Sequence, residues 1–119
     1  MTLSEKTALC YNSALAKKAL NVILLDLREV SSMTDVFMIA GATSRRHAQT
    51  IADAVEEALR EAGEKNYHIE GYNTARWILI DAGDVIVHVF QEEAREFYQL
   101  ERLWADATPF EAEEAVQAP

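Results

Sequence analysis

The sequence predicts an α/β (α+β) domain in which a mixed β-sheet of about five strands has helices packed on it. Three patterns lead to this fold class: one strongly amphipathic helix, several apolar runs of strand length, and an alternating pair of runs that suggests a hairpin. The chain has 119 residues, the usual size of a single domain. The predicted element order, α-β-β-α-β-β-β-α, suits a sheet covered by helices.

The first part of the chain predicts a helix followed by two strands. Residues 5–20 are rich in Ala, Lys and Leu, with apolar residues near helical spacing. Two apolar runs of strand length follow at residues 22–27 and 35–41, and residues 31–34 between them are typical of a turn. These segments supply the first helix and one half of the sheet.

The second helix has the clearest signals. Ser44 is a good N-cap, and Gly63 stands where a left-handed residue often ends a helix. Between them the apolar residues form one stripe at helical spacing. The stripe consists of Ala48, Ile51, Ala52, Val55, Leu59 and Ala62.

The second half predicts three strands and a last helix. Residues 67–71 are a weaker strand candidate, and residues 76–81 and 84–90 flank Ala82-Gly83 as a hairpin. The last helix is expected over about 92–107, with Phe97, Leu100, Leu103 and Trp104 on one side. Residues 108–119 are acidic and poor in core-forming residues, so a disordered tail is expected after a domain of residues 1–107.

Composition excludes some classes of function. The net charge of −9 repels nucleic-acid phosphates, and Arg45-Arg46-His47 is the only basic cluster in the sequence, so no sequence-specific nucleic-acid binding is expected. No apolar run reaches the ~20 residues of a membrane span, and the first residues do not resemble a secretory signal. The single cysteine, Cys10, fits a reducing compartment. A cytoplasmic protein without membrane contact is expected, and acidity favours basic protein partners.

The hairpin predicts a surface for such a partner. If Ala82-Gly83 is a two-residue loop, Asp81 pairs with Asp84, Leu79 with Ile86, and Trp77 with His88. One face is then aliphatic and should lie against the helices. It consists of Ile78, Ile80, Val85, Val87 and Val89. The other face mixes aromatic, apolar and charged groups, and consists of Trp77, Leu79, Asp81, Asp84, Ile86, His88 and Phe90.

The mixed face suits a partner that carries Lys or Arg. Two opposed carboxylates repel each other and are costly to bury, so Asp81 and Asp84 should be hydrated or should meet a cation. Rigid aromatic residues such as Trp77 are common interface anchors. The alternative is that a helix covers this face and Trp77 belongs to the core.

Catalytic and metal sites are not favoured. His47, His68 and His88 lie in separate segments without zinc-ligand spacing. Residues 41–44 could hold an anion at a helix start, but a simple turn with a Ser44 cap is the stronger interpretation. Asp26 and Asp35 form no metal-binding pair, and Cys10 has no neighbouring base. No cofactor is expected, and an enzyme is disfavoured.

The chain resembles the RsfS/Iojap family from about residue 14 to residue 107. In the N-terminal half, Leu25-Asp26-Leu27, Ser31-Ser32-Met33-Thr34-Asp35 and Gly41-Ala-Thr-Ser44-Arg-Arg-His47 match the family. In the C-terminal half the matches are Glu70-Gly71, Trp77-Ile-Leu-Ile-Asp81-Ala-Gly83-Asp84-Val85-Ile-Val87-His88-Val-Phe90 and Arg95-Glu-Phe-Tyr98-Gln-Leu100-Glu101-Arg-Leu103-Trp104. A tryptophan hairpin followed by a tyrosine-and-tryptophan helix is a specific signature.

The resemblance implies a nucleotidyltransferase-like fold without a catalytic centre and a role as a translation repressor. Family members bind the large ribosomal subunit through universal large-subunit ribosomal protein fourteen and prevent subunit joining when nutrients are scarce. Some are homodimers when free. The expected contact residues are the seven of the mixed face, with Tyr98 and Glu101 of the last helix as weaker candidates that could equally be structural. The alternatives are a large-subunit assembly factor and, from another class, a nucleotide-binding nucleotidyltransferase relative.

Overall fold

The computed structural model describes residues 1–98 and 107–112, with side chains up to residue 95 and again from residue 107. The order of elements predicted from sequence is confirmed, and one short strand is added at the end. The elements are α1 (Leu3–Ala16), β1 (Leu20–Asp26), β2 (Val36–Ala42), α2 (Arg45–Glu61), β3 (His68–Glu70), β4 (Trp77–Asp81), β5 (Val85–Gln91), α3 (Glu92–Tyr98) and β6 (Thr108–Pro109).

The strands form one mixed sheet in the order β3-β4-β5-β2-β1-β6. The central pair, β2 and β5, is parallel, and the other neighbours are antiparallel. The mixed sheet predicted from sequence is therefore confirmed, with six strands rather than about five. Every residue of β2 is buried, as are the residues of β5 up to Phe90, which is typical of central strands covered on both sides.

Helices α1 and α2 pack together on one side of the sheet. The apolar stripe predicted for α2 is buried up to Leu59, and Ile51, Val55 and Leu59 have no exposed surface. Each side chain of this size contributes about 1.5–3 kcal/mol when fully buried. These residues meet the aliphatic face of the hairpin in one core cluster, as expected from the alternation of residues along β4 and β5.

Both long helices begin at the residues that their caps dictate. At α1 the Thr2 hydroxyl accepts a hydrogen bond from the Glu5 backbone N–H (3.0 Å), and the Glu5 carboxylate accepts one from the Thr2 N–H (2.8 Å). Ser44 caps α2 by accepting from the His47 N–H at 3.0 Å, as predicted. Helix α1 ends four residues before the predicted end, because Lys18 takes a left-handed conformation with φ 63°.

The hairpin register differs from the prediction by two residues. The Ala82 N–H donates to the Val85 carbonyl (3.0 Å), so Gly83-Asp84 is the two-residue loop. Gly83 has φ 88°, a conformation that glycine adopts without steric cost. The predicted partners are therefore wrong: the observed pairs are Asp81–Ile86, Leu79–His88 and Trp77–Phe90. A shift of two preserves the alternation, so both strands keep the predicted faces.

The prediction of a disordered segment from residue 108 onward is wrong for residues 108–112. Thr108 and Pro109 pair with Asp26 and Leu25, and the Phe110 N–H donates to the Leu24 carbonyl at 3.0 Å. Phe110 is 9% exposed and belongs to the core on the helix side. A large aromatic residue inside an acidic segment gains enough from burial to order the chain around it. Residues 113–119 lie outside the described residues, as does the predicted last helix beyond residue 98.

Within residues 1–98 and 107–112, none of the helices is both long and apolar enough to cross a membrane.

Candidate functional site

The side of the sheet opposite α1 and α2 carries a second apolar cluster, here called the sheet face. Its hairpin residues are those predicted for the mixed face, apart from Asp84. Strands β1 and β2 and the start of α3 complete it. The sheet face is formed by Ile23, Leu25, Leu27, Phe37, Ile39, Trp77, Leu79, Asp81, Ile86, His88, Phe90 and Ala94.

The hairpin residues of the sheet face differ in solvent exposure between β4 and β5. Trp77, Leu79 and Asp81 on β4 are partly exposed. Their neighbours on β5 are buried: Ile86 is 6% exposed and Phe90 is 0% exposed. Since β5 is a central strand and β4 lies one strand from the edge, β4 is the strand of the hairpin whose sheet-face residues reach solvent. The expectation that Phe90 would enlarge an exposed patch is therefore wrong, and Phe90 supports the patch from below.

Trp77 is held in place by a hydrogen bond and by stacking. Its indole Nε1–H donates to His88 Nδ1 at 3.0 Å. Its ring stacks on Phe90, with 5.0 Å between centroids and 27° between planes. Phe37 on β2 meets His88 edge-on, at 4.5 Å between centroids. These contacts restrict the rotamer of Trp77, which lowers the entropy that it loses when a partner binds.

His88 is the buried polar group of the sheet face and is only 3% exposed. Because Nδ1 accepts from Trp77, a neutral ring carries its proton on Nε2, and Nε2 is buried without a hydrogen-bond partner. Burial lowers the pKa of His88 from 6.5 to about 4, so the ring is neutral at physiological pH. His88 was expected to contact the partner directly. Its burial corrects this, and its position makes it the group that orients Trp77.

Asp81 shapes the hairpin turn and remains partly exposed. Its Oδ1 accepts a hydrogen bond from the Gly83 N–H at 2.9 Å. Ile86 lies opposite Asp81, so the expected repulsion between Asp81 and Asp84 is absent from the ladder. One carboxylate oxygen holds the turn, which leaves the other available to a cation at the end of the sheet face.

Asp84 does not belong to the sheet face. It lies in the hairpin loop and contacts Lys6 of α1, with 2.8 Å between Oδ1 and Nζ. The prediction that Asp84 shares a face with Asp81 is wrong, because the loop residue turns toward the helix layer. Its expected partner of opposite charge is present within the chain itself. A pairing between α1 and a loop some 78 positions later leaves no local trace in the sequence.

Lys6 was missed as a candidate residue. Its ammonium also reaches the Ala82 carbonyl (2.6 Å) and Glu64 (3.3 Å), and its side chain is 7% exposed. The sequence does contain an indication of this role. Lys6 lies four residues before Cys10, which is fully buried on α1, so both residues are on the same side of the helix. A lysine on the apolar side of a helix requires acceptors inside the protein.

The contributions of β1 and β2 to the sheet face were also missed. Ile23 and Leu25 alternate along β1, and Leu27, which directly follows β1, is fully buried in the same cluster as Phe90. This period of two was visible in the sequence, but it did not show which strands are neighbours. Tyr98 ends α3 and its side chain is not described, and Glu101 lies outside the described residues.

The groups considered for catalysis are engaged in structural contacts. His47 accepts from the Thr43 N–H at Nδ1 (2.9 Å), and its Nε2 lies 2.8 Å from the Lys17 carbonyl. Asp26 binds Arg28 through both oxygens, at 3.0 and 2.6 Å, and these hydrogen bonds lower the pKa of Asp26. Across residues 1–98 and 107–112, no group of three or more His, Cys, Asp or Glu is arranged to hold a metal ion.

Known proteins resemble this chain over almost its full length. A family model described as "Ribosomal silencing factor during starvation" matches residues 1–119. A ribosomal silencing factor RsfS from Halalkalibacterium halodurans is 40% identical over 113 residues, covering 95% of this chain and 97% of that protein. The corresponding protein from Haemophilus influenzae is 43% identical over 88 residues, or 74% of this chain and 86% of that protein.

The fold is found among solved structures as well. A crystal structure of a protein from Chromobacterium violaceum superimposes with a TM-score of 0.86 at 31% identity, covering 96% of this chain and 98% of that one. The mixed sheet with its packed helices is thus a fold already observed in solved relatives. Since the family model spans the entire sequence and the two RsfS proteins named above are 40% and 43% identical to it, the chain belongs to the RsfS family of ribosomal silencing factors.

Proposed function

We propose that this protein is a ribosomal silencing factor that binds the large ribosomal subunit and sterically blocks subunit joining. Its partner is universal large-subunit ribosomal protein fourteen, and the result is repression of translation under nutrient limitation or in stationary phase. The names of the relatives support silencing. The observation that carries the proposed mechanism is the sheet face, where a preoriented Trp77 lies partly exposed above a buried apolar floor.

Trp77 and Leu79 supply the apolar centre of the contact. Both are partly exposed on β4, while His88 and Phe90 beneath them are buried. An aromatic group already held by a hydrogen bond and a stacked ring binds a partner at low cost in side-chain entropy. Buried tryptophans are among the residues that contribute most to interface affinity. Tyr98 and Glu101 stay in the proposal as flanking contacts.

Asp81 supplies the charge at the end of the contact. It is partly exposed at the hairpin turn, beside the apolar centre. A protein with a net charge of −9 is attracted to a basic surface, and such attraction mainly raises the association rate and fixes orientation. We therefore assign to Asp81 the pairing with a Lys or Arg of the ribosomal protein.

The mechanism needs no chemical step. The free energy of docking competes with the free energy of subunit joining, so silencing depends on affinity and concentration and no substrate is converted. The same sheet face would form the contact of a homodimer in the free protein. Sedimentation of wild type and of a Leu79→Lys variant checks this, because a lysine in a symmetric contact meets its own copy and favours the monomer.

Binding of purified large subunits to wild type and to Trp77→Ala tests the proposal. Truncating a central tryptophan should weaken binding by at least about 30-fold, equivalent to about 2 kcal/mol. The matched control is Tyr67→Ala, which removes a half-buried aromatic ring on the helix side of the sheet. Circular dichroism verifies folding. If Trp77→Ala unfolds, Leu79→Lys tests the same surface by placing a positive charge against a basic partner.

The silencing step has its own measurement. Wild type added to purified subunits should lower the 70S peak in a sucrose gradient, and Trp77→Ala should leave the peak unchanged. Binding without any effect on the 70S peak would reject silencing in favour of an assembly role. Equal binding by wild type, Trp77→Ala and Leu79→Lys would show that the contact lies elsewhere on the molecule.

A further inference from the structure

The tertiary structure joins two basic dipeptides that are distant in sequence. Lys17-Lys18 follows α1, and Arg45-Arg46 opens α2. The two meet because His47 Nε2 lies 2.8 Å from the Lys17 carbonyl oxygen. We call Lys17, Lys18, Arg45 and Arg46 the basic corner.

The four cationic side chains of the basic corner are free to meet a ligand. All four residues are exposed. Among the described side chains, those of residues 1–95 and 107–112, no carboxylate lies within 4.0 Å of any of them, whereas Lys6, Arg28 and Arg60 are each paired. Glu92 and Glu93 start α3 at the same end of the sheet, but two carboxylates do not balance four cations. A local positive surface thus persists on a chain whose net charge is −9.

His47 fixes the geometry of the basic corner. Nδ1 accepts a hydrogen bond from the Thr43 N–H at 2.9 Å, so the neutral ring carries its proton on Nε2. This Nε2–H donates a hydrogen bond to the Lys17 carbonyl oxygen. The imidazole therefore connects the turn before α2 to the end of α1. Without this bridge the two dipeptides would be positioned only by helix packing.

Lys18 adds a separate observation. It occupies the left-handed position that ends α1, with φ 63°, where its N–H donates to the Leu15 carbonyl at 2.9 Å. Glycine is the residue that adopts this conformation without a steric cost, and it is the usual choice at such a position. A lysine in a strained conformation at an exposed site points to a use for its charge.

We propose that the basic corner contacts the phosphate backbone of ribosomal RNA beside the protein partner of the sheet face. This inference rests on the proposed function, which brings the chain to the large subunit. RNA is the abundant polyanion of that particle, and lysine and arginine side chains bind phosphates without reading sequence. The contact would help orient a chain that is otherwise repelled by RNA. It is compatible with the absence of sequence-specific nucleic-acid binding expected from the sequence.

Salt dependence of large-subunit binding tests the proposal. Lys17→Gln/Lys18→Gln and Arg45→Gln/Arg46→Gln should each make the slope of log affinity against log salt shallower by about 2. The matched control is Arg60→Gln/Lys65→Gln, which removes the same charge in the last turn of α2 and just after it, and should leave the wild-type slope. Equal slopes for wild type, both corner variants and the control would overturn the proposal. Failure of wild type to bind at any salt would reject the proposed function together with this contact.

The Lys18→Gly variant distinguishes the role of the Lys18 charge from the role of its left-handed backbone conformation. Its thermal unfolding temperature should equal or exceed that of wild type, because glycine relieves the strained φ, while its salt slope becomes shallower by about 1. A variant that melts lower and keeps the wild-type slope would show that Lys18 is structural only.

A tethered probe identifies the ligand. An iron chelate attached to Ala16→Cys, beside Lys17, should cleave ribosomal RNA in the bound complex, whereas the same chelate on Lys65→Cys should not. Cys10 is buried and should not be labelled. A bound complex in which the residue 16 probe cuts no RNA above the Lys65→Cys background would overturn an RNA contact and assign the basic corner to an acidic protein.

Discussion

Lys6 and Asp84 form an ion pair, with 2.8 Å between Nζ and Oδ1, that fastens the first helix to the loop of the hairpin. The same ammonium binds the Ala82 carbonyl and Glu64, so three segments of the chain converge on one lysine. Burial by itself lowers the pKa of Lys6, but the contacts with Asp84 and Glu64 outweigh burial and raise it. Lys6 is therefore charged at neutral pH and sets the position of the turn that carries Asp81.

Removing the Lys6 ammonium should destabilise the fold. In Lys6→Met, the Ala82 carbonyl loses a buried hydrogen bond and Asp84, whose side chain is 41% exposed, loses its cation, so the cost should be about 1–3 kcal/mol. Urea denaturation followed by circular dichroism measures the loss. The double variant Lys6→Met/Asp84→Asn should lose less than the sum of the single variants, because both remove one interaction. Full additivity would show that the two residues are not coupled.

Replacing Asp81 with Asn should weaken binding to large subunits without lowering the stability of the fold. In Asp81→Asn, the side-chain oxygen still accepts from the Gly83 N–H, so the turn is preserved and unfolding free energy should change by less than about 0.5 kcal/mol. Loss of the negative charge should slow association with large subunits, measured by stopped-flow or surface binding. Glu57→Gln, an equal charge change at an exposed position of α2 on the other side of the sheet, is the control. A similar effect in both variants would assign the change to net charge.

His88 should make stability decrease in acid. Burial lowers the pKa of His88 to about 4, so between pH 6.5 and 4 the unfolded chain binds a proton that the folded chain does not. The free energy of unfolding therefore includes the full favourable contribution of neutral His88 above pH 6.5, and this contribution is lost as the pH falls toward 4. Wild type should lose about 2 kcal/mol more than His88→Gln between pH 7 and pH 5, by urea denaturation. Equal losses would mean that His88 titrates normally in the folded protein.

Cys10 should be inert until the protein unfolds. Burial raises the pKa of the Cys10 thiol to about 12, and only the thiolate reacts. At pH 8 iodoacetamide should therefore modify native protein only through unfolding, at a rate that rises with urea. Ala16→Cys on the exposed end of the same helix should react at once, and its mass spectrum should show one label. Rapid labelling of Cys10 in native wild type would contradict its burial.

Some of the candidate site was predictable because side chains alternate along a strand. The division of β4 and β5 into an aliphatic and a mixed face is correct, although the register is wrong by two residues. An even shift in register leaves every side chain on its predicted face, so the division into faces survived the error. The cross-strand partners depend on which residues form the turn, and Gly83-Asp84 fits a tight turn as well as Ala82-Gly83 does. Burial was less predictable. His88 and Phe90 are covered because β5 is central, and strand order comes from long-range pairing that a single sequence does not display.

The sequence alone determined the α/β fold class, the element order, the caps of α2 and the family resemblance, since all of these follow from local periodicity, turn residues and motifs. Tertiary structure decided which side chains meet. It turned Asp84 toward Lys6, placed His88 beneath Trp77, buried Phe110 beside β1 and joined Lys17-Lys18 to Arg45-Arg46. These contacts connect residues far apart in the chain, so they depend on how the helices and strands pack, which no short stretch of sequence encodes.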